Sequence, residues 1–462
     1  VAGREHGLHK PNVKPLSVAA DTYERHILLS SDSSTQETLS EPLNPYWRLR
    51  YEIEHRFPTQ YDYLRQALLS RREANLQGHK IPRRSFTPVE DGVSPVVQGK
   101  QRAVLLGLHW LDLGGAERWA IEAVALVREA GLLPIVITDR PSHQPWIDRP
   151  ELDGALVICL THPLDAEKDT EPLLTAIFEN FSIAGVMVHH SAWLYDRLPW
   201  IKRLKPGIPV ADSLHIIEYA GGGYPALAVH LDDFIDTHHV ISPQLVNWLS
   251  GRQGVPAEKI ALAPLIGLTT GAIRETVKPR VSKDGFTIGF VGRFTRQKRP
   301  YLFLTLVRTL AQNGFPVQAI MHGSGELEAT VRKRIESYGL GDRITVRNHD
   351  VPVNETYDDI DCLILSSQNE GITLTTLEGI AGGVPVLSAD VGSQSTLVPP
   401  GLLVPRAPHE FVRKALATLD RLKDDEGFRS RVWTEELSRA QEFSKKVSAE
   451  DWTRGILSEW NK

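Results

Sequence analysis

Two carboxylates, Glu370 and Glu378, stand eight residues apart in the stretch NEGITLTTLEGIAGGVPV, around what reads as a short helix starting near Ile372. A helix N-terminus offers unpaired amide N–H groups and the positive end of the helix dipole, a setting suited to phosphate. Eight residues rise about 12 Å along a helix, so an acid ahead of the N-terminus and another inside can hold the two ends of a ligand whose middle is a diphosphate. Carboxylates accept paired hydrogen bonds from vicinal hydroxyls such as those of ribose or a hexose. A sugar nucleotide has that layout. The bland alternative makes Glu370 a partner of the helix dipole and Glu378 a solvated helix residue.

Two cations shift the balance. In GFVGRFTRQKRP an apolar strand ends at Arg293, and Lys298 follows at the start of the next helix. Both belong at the carboxyl edge of a sheet, where open α/β sheets bind ligands. Arginine forks onto phosphate oxygens and lysine adds a point charge.

The elements that must position these groups follow from the pattern of the chain. From Gln101 onward, short apolar runs such as RAVLLGL, LLPIVITDR, GALVICL and AGVMVHH alternate with helical segments, which predicts parallel strands joined by crossover helices. The alternation breaks in the polar stretch GAIRETVKPRVSKDG, Gly271 to Gly285, read as a linker, and then resumes. The expected architecture is therefore α/β, with two Rossmann-like doubly wound domains. Residues 101–272 form the first, 285–442 the second, and 443–462 a closing helix. Residues 1–100 lack the alternation and form an N-terminal, mostly helical extension.

Composition narrows the partners. With 462 residues, 41% hydrophobic and 24% charged, the chain is an ordinary globular one, and its net charge of −5 leaves no basic excess for nucleic acid. Only Cys159 and Cys362 occur, each in an apolar strand, which argues against a disulfide framework or a cysteine metal site. No apolar run approaches the roughly 18 residues of a membrane span, so a cytoplasmic protein is expected, with peripheral membrane contact the sharper alternative. Residue 1 is Val and the only methionines are Met187 and Met321, which suggests a processed or excised piece of a longer product.

VGRFTRQKRP, HGSGELEATVRKRIESYGLGDRITV and SSQNEGITLTTLEGIAGGVPV closely resemble the C-terminal domain of retaining family 4 glycosyltransferases of the GT-B fold. LGGAERWAIEAVALVREAG resembles the glycine-rich turn and first helix of their N-terminal domain. The resemblance covers most of residues 101–460. It implies two domains facing across a cleft and transfer of a hexose, without a metal or other cofactor, from a nucleoside-diphosphate sugar, a UDP-sugar foremost, to a hydroxyl of a glycan or lipid-linked acceptor. It also implies roles. Glu378 would hold the ribose, Glu370 the transferred sugar, and Arg293 and Lys298 the diphosphate, with the backbone of Gly371, Ile372, Thr373 and Leu374 and the turn at Gly114 and Gly115 beside the donor. His215, in VADSLHIIEYAGGGY, matches the family's histidine next to the donor sugar. The chain departs from the family at Thr373, where Gly or Pro is usual, at VGSQS, Val391–Ser395, where a Gly-Gly segment with an acid is usual, and at PLIGLTTG before the linker. Two alternatives stay open: a nucleotide-sugar epimerase or hydrolase, since the same fold hosts such activities, and a catalytically silent sugar-nucleotide-binding or scaffold subunit, which the departures at Thr373 and VGSQS motivate.

Three further features each admit a plain and a sharper reading. His215 alone is as consistent with a satisfied core imidazole as with a ligand contact, but its place at a strand end before GGGY favours the site. The cluster His230, Asp232, Asp233, Asp236, His238 and His239 lacks metal-site spacing. In the extension, PYWRLRYEIEHRF and TQYDYLRQALLSRREANLQ read as two helices parted at Pro58, with apolar faces and more arginines than acids. Packing on the first domain is the plain expectation, and docking to an anionic acceptor, a partner subunit or a membrane the sharper one.

Overall fold

The computed structural model describes residues 26–29, 45, 49, 52–53, 56–86, 99–112, 114–140, 142, 144–160, 167–219, 221–266 and 273–462. The end of the first expected domain, Gly271 with residue 272, and Trp47, Arg48, Arg50 and Tyr51 of the extension lie outside the described residues, as does most of PLIGLTTG.

In chain order the first half contains β1 (His26–Leu29), α1 (Pro58–Gly78), β2 (Arg102–Leu108), α2 (Gly115–Glu129), β3 (Leu133–Thr138), β4 (Leu156–Cys159), α3 (Glu167–Asn180), β5 (Ser182–His189), α4 (Ala192–Leu204), β6 (Val210–Leu214), α5 (Gly223–His230), β7 (Thr237–Val240), α6 (Pro243–Val246) and β8 (Ile260–Leu262). The second half contains β9 (Phe286–Val291), α7 (Pro300–Gln312), β10 (Val317–His322), α8 (Glu328–Ser337), β11 (Ile344–Arg347), α9 (Val353–Asp358), β12 (Cys362–Leu365), α10 (Leu374–Ala381), β13 (Val386–Ala389), β14 (Leu403–Val404), α11 (Pro408–Asp424), α12 (Glu426–Ser444) and α13 (Ala449–Trp460).

The strands form two parallel sheets, ordered β1-β4-β3-β2-β5-β6-β7-β8 and β11-β10-β9-β12-β13-β14. Their near-continuous apolar runs follow from burial on both faces: every residue of β3, β4, β9 and β12 is buried. In each sheet the strand order reverses direction once, between β2 and β5 and between β9 and β12. Those reversals open crevices at the carboxyl ends of the strands, and the candidate residues cluster there.

One strand was not foreseen. β1 pairs in parallel with β4, His26 opposite Leu156, and so brings part of the N-terminal extension into the first sheet. α1 begins at Pro58, whose missing N–H is harmless at a first helical position, and Tyr61 N still bonds Phe57 O, so the proline marks a helix start. The helix lies on both domains instead of extending the first core alone. Asp62 is buried against α7 and accepts from Tyr301 Oη at 2.5 Å, and Glu73 pairs with Arg406 at 3.0 Å. Leu76 O accepts from Trp248 Nε1 in the first domain. The following segment is pinned there too: Gln253 bonds both His79 O and Ile81 N, and Arg83 pairs with Asp232 at 3.3 Å. The outer face, with Phe57, Leu64 and Leu68, is exposed.

Two other connections join the domains. The polar stretch read as a linker is fastened to the second domain, where Lys278 is buried and donates to the carbonyls of Tyr357, Asp358 and Ile360. α13 returns to the first domain: Ala449 N bonds Pro264 O, Trp452 stacks on His239 with centroids 4.9 Å apart, and the Trp460 ring fills the space that a side chain at Gly185 would take.

Candidate active site

The second-domain crevice is built around α10. Its N-cap is Thr373, whose Oγ1 accepts from Thr376 N at 3.2 Å. Here a threonine does the capping, which explains how the helix starts without the Gly or Pro of the family pattern. The remaining first-turn amides are left for an anion. Glu370 lies four residues ahead of the helix, buried, and Glu378 lies half-buried inside it.

Both acids already have partners. Lys298 Nζ sits 2.6 Å from Glu370 Oε1. Tyr357 Oη donates to Glu378 Oε2 at 2.8 Å, and Arg118 of α2 reaches Glu378 Oε1 at 3.8 Å from the first domain. Glu378 is thus held beside the interdomain cleft and is no freely solvated helix residue.

The backbone beneath Lys298 is fixed by a residue the sequence did not single out. Arg299 is buried with a left-handed φ of 50° and donates to the carbonyls of Ser366, Ser367 and Arg406 at 2.6, 3.0 and 2.9 Å. It ties the start of α7 to the end of β12, so that Lys298 and Glu370 come from adjoining strand ends. Arg293 stands half-buried just after β9.

The first domain closes against this loop. Asn369 Nδ2 donates to Ile217 O at 2.7 Å, and a Cβ on Gly371 would collide with the carbonyl oxygen of His215. Only glycine allows that approach. The VGSQS segment supports the same loop: Gln394 Nε2 donates to Gly371 O at 2.9 Å, and its Oε1 accepts from Thr376 Oγ1 at 2.9 Å. Where the resembled family has an acid after a Gly-Gly turn, this chain has a buried amide that braces the loop before α10.

His215 is read from its neighbours. His239 Nε2 is 2.7 Å from Ala263 O, a pure acceptor, so Nε2 carries the proton and Nδ1 accepts from Ser213 Oγ at 2.8 Å. Ser213 Oγ then accepts from His215 Nε2 at 3.1 Å and from Trp119 Nε1 at 3.2 Å. Burial, with neighbouring imidazoles, holds His215 well below the usual histidine range, and burial brings His239 down to about 4. A neutral His215 with its proton on Nε2 keeps the Nδ1 lone pair to accept a hydroxyl.

Gly114 and Gly115 stand at the N-terminus of α2, beside Glu117. A Cβ on Gly114 would collide with the Glu117 carboxylate, and Gly115 faces Leu374 of the second domain across the cleft. Glu117 itself was missed in the sequence. Burial would raise its pKa, but the hydrogen bond and charge of His109, the Trp110 indole and the charge of Arg293 outweigh that and hold it at about 2. Its Oε1 lies 3.1 Å from His109 Nε2 and 2.8 Å from Trp110 Nε1.

The acid–histidine cluster of residues 230–239 is engaged in structure. His238 lies between Asp212 and Asp232, at 3.0 and 3.1 Å, and Asp232 also takes Lys259 at 2.8 Å. Asp236 pairs with Lys202 at 2.8 Å. Burial alone would lower His238, yet the two carboxylates raise it to about 9. No group of three or more metal-ligating side chains is assembled among the described residues.

Residues 273–431 match the family model described as "Glycosyl transferases group 1". The second domain is similar to group 1 glycosyltransferases. Among curated relatives, a lipopolysaccharide core biosynthesis mannosyltransferase of Rhizobium meliloti is 32% identical over 119 residues, 25% of this chain and 34% of its own. A D-inositol 3-phosphate glycosyltransferase of Catenulispora acidiphila is 25% identical over 273 residues, 51% of this chain and 62% of its own. The chain therefore spans about a third to three fifths of the length of these relatives. Among solved structures, Anabaena HepE in complex with UDP-glucose superposes with a TM-score of 0.58 at 16% identity, covering 78% of this chain and 98% of that one. Sucrose-phosphate synthase from Thermosynechococcus elongatus gives 0.55 at 19% identity, again covering 78% and 98%. The fold is GT-B. Among the described residues no helix is long and apolar enough to cross a membrane.

Proposed function

We propose that this chain is a retaining glycosyltransferase that moves a hexose from a nucleoside-diphosphate sugar, a UDP-sugar foremost, to a hydroxyl of a glycan or lipid-linked acceptor. The observation that carries this reading is the convergence of Glu370, Lys298, the capped start of α10 and Glu378 along one sheet edge, with His215 of the first domain against Gly371.

In this reading Glu378 exchanges the Tyr357 hydroxyl and Arg118 for the ribose hydroxyls. Lys298, Arg293 and the α10 amides take the diphosphate, and Glu370, released from Lys298, takes hydroxyls of the hexose together with His215 Nδ1. The bond from the anomeric carbon to the leaving phosphate oxygen breaks, and a bond to the acceptor oxygen forms on the same face. The acceptor proton passes to the leaving phosphate oxygen. The chain supplies no nucleophile in this scheme and acts by positioning and by stabilising the charge that develops on the diphosphate. Because the first domain contributes His215 and the second the donor groups, the site is complete only with the domains closed.

The test is to incubate the protein with UDP-hexoses and saccharide acceptors and read the anomeric configuration of the product by NMR. The same configuration as in the donor supports the reading. An inverted product, or hexose released to water with every acceptor, overturns it.

A further inference from the structure

The reversal point of the first sheet carries a second set of groups. His109 and Trp110 follow β2, Arg140 follows β3 and His190 follows β5, so all four rise from the carboxyl edge that faces the cleft. Tyr224 of α5 covers them: its ring stacks on His190 with centroids 4.7 Å apart and planes within 4°. His190 is held in a left-handed conformation, φ 57°, which a non-glycine residue rarely adopts, and its ring meets His215 edge-on at 4.8 Å. The aromatic shelf thus lies one ring beyond the histidine that touches the donor loop.

Arg140 caps the shelf. Its Nη2 donates to Tyr224 Oη at 3.2 Å and its guanidinium carbon lies 5.9 Å from the centre of the Trp110 ring. Trp110 is fixed in turn by its bond to Glu117. Two other cations of the cleft have a carboxylate within reach: Lys298 has Glu370 and Arg118 has Glu378. Arg140 is exposed, and no carboxylate pairs with it among the described residues. The acid next to it in sequence, Asp139, is turned toward α4, where it accepts from Ser191 Oγ at 3.0 Å and Trp193 N at 2.9 Å. The neighbouring imidazole of His190 is neutral because burial brings it down to about 3, and Arg140 stands as the exposed cation at the rim of the shelf.

We infer that Trp110, Tyr224 and Arg140 form the acceptor subsite, and that the acceptor is a saccharide bearing an anionic group, a carboxylate or a phosphate. The inference rests on the glycosyl-transfer reading and adds the acceptor's chemical class to it. The half-buried indole and phenol rings offer faces against which the apolar side of a pyranose lies, and the guanidinium forks onto the anion. The saccharide hydroxyl to be glycosylated then points past His190 toward His215 and the donor sugar.

The experiment measures binding of three probes to the whole chain by saturation-transfer NMR and calorimetry: methyl glucuronide, glucose 6-phosphate and neutral methyl glucoside. UDP is titrated separately into the same preparations. At least one anionic probe is expected to bind about tenfold or more tightly than the neutral one, the worth of one hydrogen bond to a charged group. Arg140→Gln should erase that preference while leaving UDP affinity and melting temperature unchanged, and Trp110→Ala should weaken all three probes. Whether the glucuronide or the phosphate prevails identifies the anion. Equal binding of all three probes, no saccharide binding, or a preference that survives Arg140→Gln overturns the inference. Failure of UDP to bind instead overturns the donor reading, and the two failures are read from different titrations.

Discussion

Lys298 and Glu370 are each other's partner, 2.6 Å apart, although the sequence assigns one to the diphosphate and the other to the hexose. The pair balances the charge of a buried carboxylate with that of a half-buried ammonium, and on the proposed function a donor would have to separate them. Glu370→Gln should therefore leave nucleotide affinity unchanged or tighter, because Lys298 is freed, while turnover falls about a hundredfold, the scale for losing a group that acts on the transition state. Parallel UDP titrations and initial rates check this, and a loss of UDP affinity matching the loss of turnover would contradict it.

Gln394 joins the loop at Gly371 to α10 through Gly371 O and Thr376 Oγ1. Gln394→Ala leaves a buried carbonyl and a buried hydroxyl without that partner. The expected loss is about 1–3 kcal/mol of stability by denaturant unfolding, together with a raised KM for the donor. Unchanged stability and KM would show that the loop is held by other contacts.

Much of this site was legible in the sequence, and the illegible part has a physical pattern. Glu370, Arg293, Lys298 and the α10 start sit at strand and helix ends that periodicity locates, with Glu378 about one turn inside the helix. Their partners do not. Arg299 and Gln394 act through bonds to residues up to 107 positions away, as with Arg299 and Arg406 O, and nothing local marks such pairs, while Glu117 bonds His109 and Trp110 only because the turn after β2 folds back on its helix. β1 is four residues with no helix pattern beside it, and its place follows from an edge of the sheet that only the fold creates. Lys278 in the polar linker reads as a solvated lysine, and becomes a staple only because three carbonyls of the second domain converge on it. The cluster at residues 230–239 reads as acids and histidines without metal spacing, and its key partner, Asp212, comes from the neighbouring strand.

His238 provides a pH signature. Burial disfavours its charge, but Asp212 and Asp232 raise it to about 9, above the unfolded value near 6.5. A raised histidine contributes stability that is fully present below about pH 6.5 and is lost as pH rises through about 9, on the order of 3 kcal/mol in all. Unfolding free energies at pH 6 and pH 9.5 should differ in that direction, and His238→Gln should flatten the difference. A wild type equally stable at both pH values would contradict the charged triad.

Tyr301 and Asp62 fasten α1 to the second domain. Tyr301→Phe leaves a buried carboxyl without its donor, with an expected cost of about 1–3 kcal/mol. Because the same helix and the segment after it are tied to the first domain through Trp248 and Gln253, the variant should also widen the range of domain separations seen by small-angle scattering. An identical scattering profile and stability would remove the helix from any tethering role.

On the proposed function Glu378, inside α10, holds the donor nucleotide, and calorimetric titration of UDP into wild type and Glu378→Ala measures that hold directly. Affinity should be weaker by about 1.5–3 kcal/mol in the variant, roughly ten to a hundredfold, with melting temperature little changed. Equal affinity in the two proteins would contradict it.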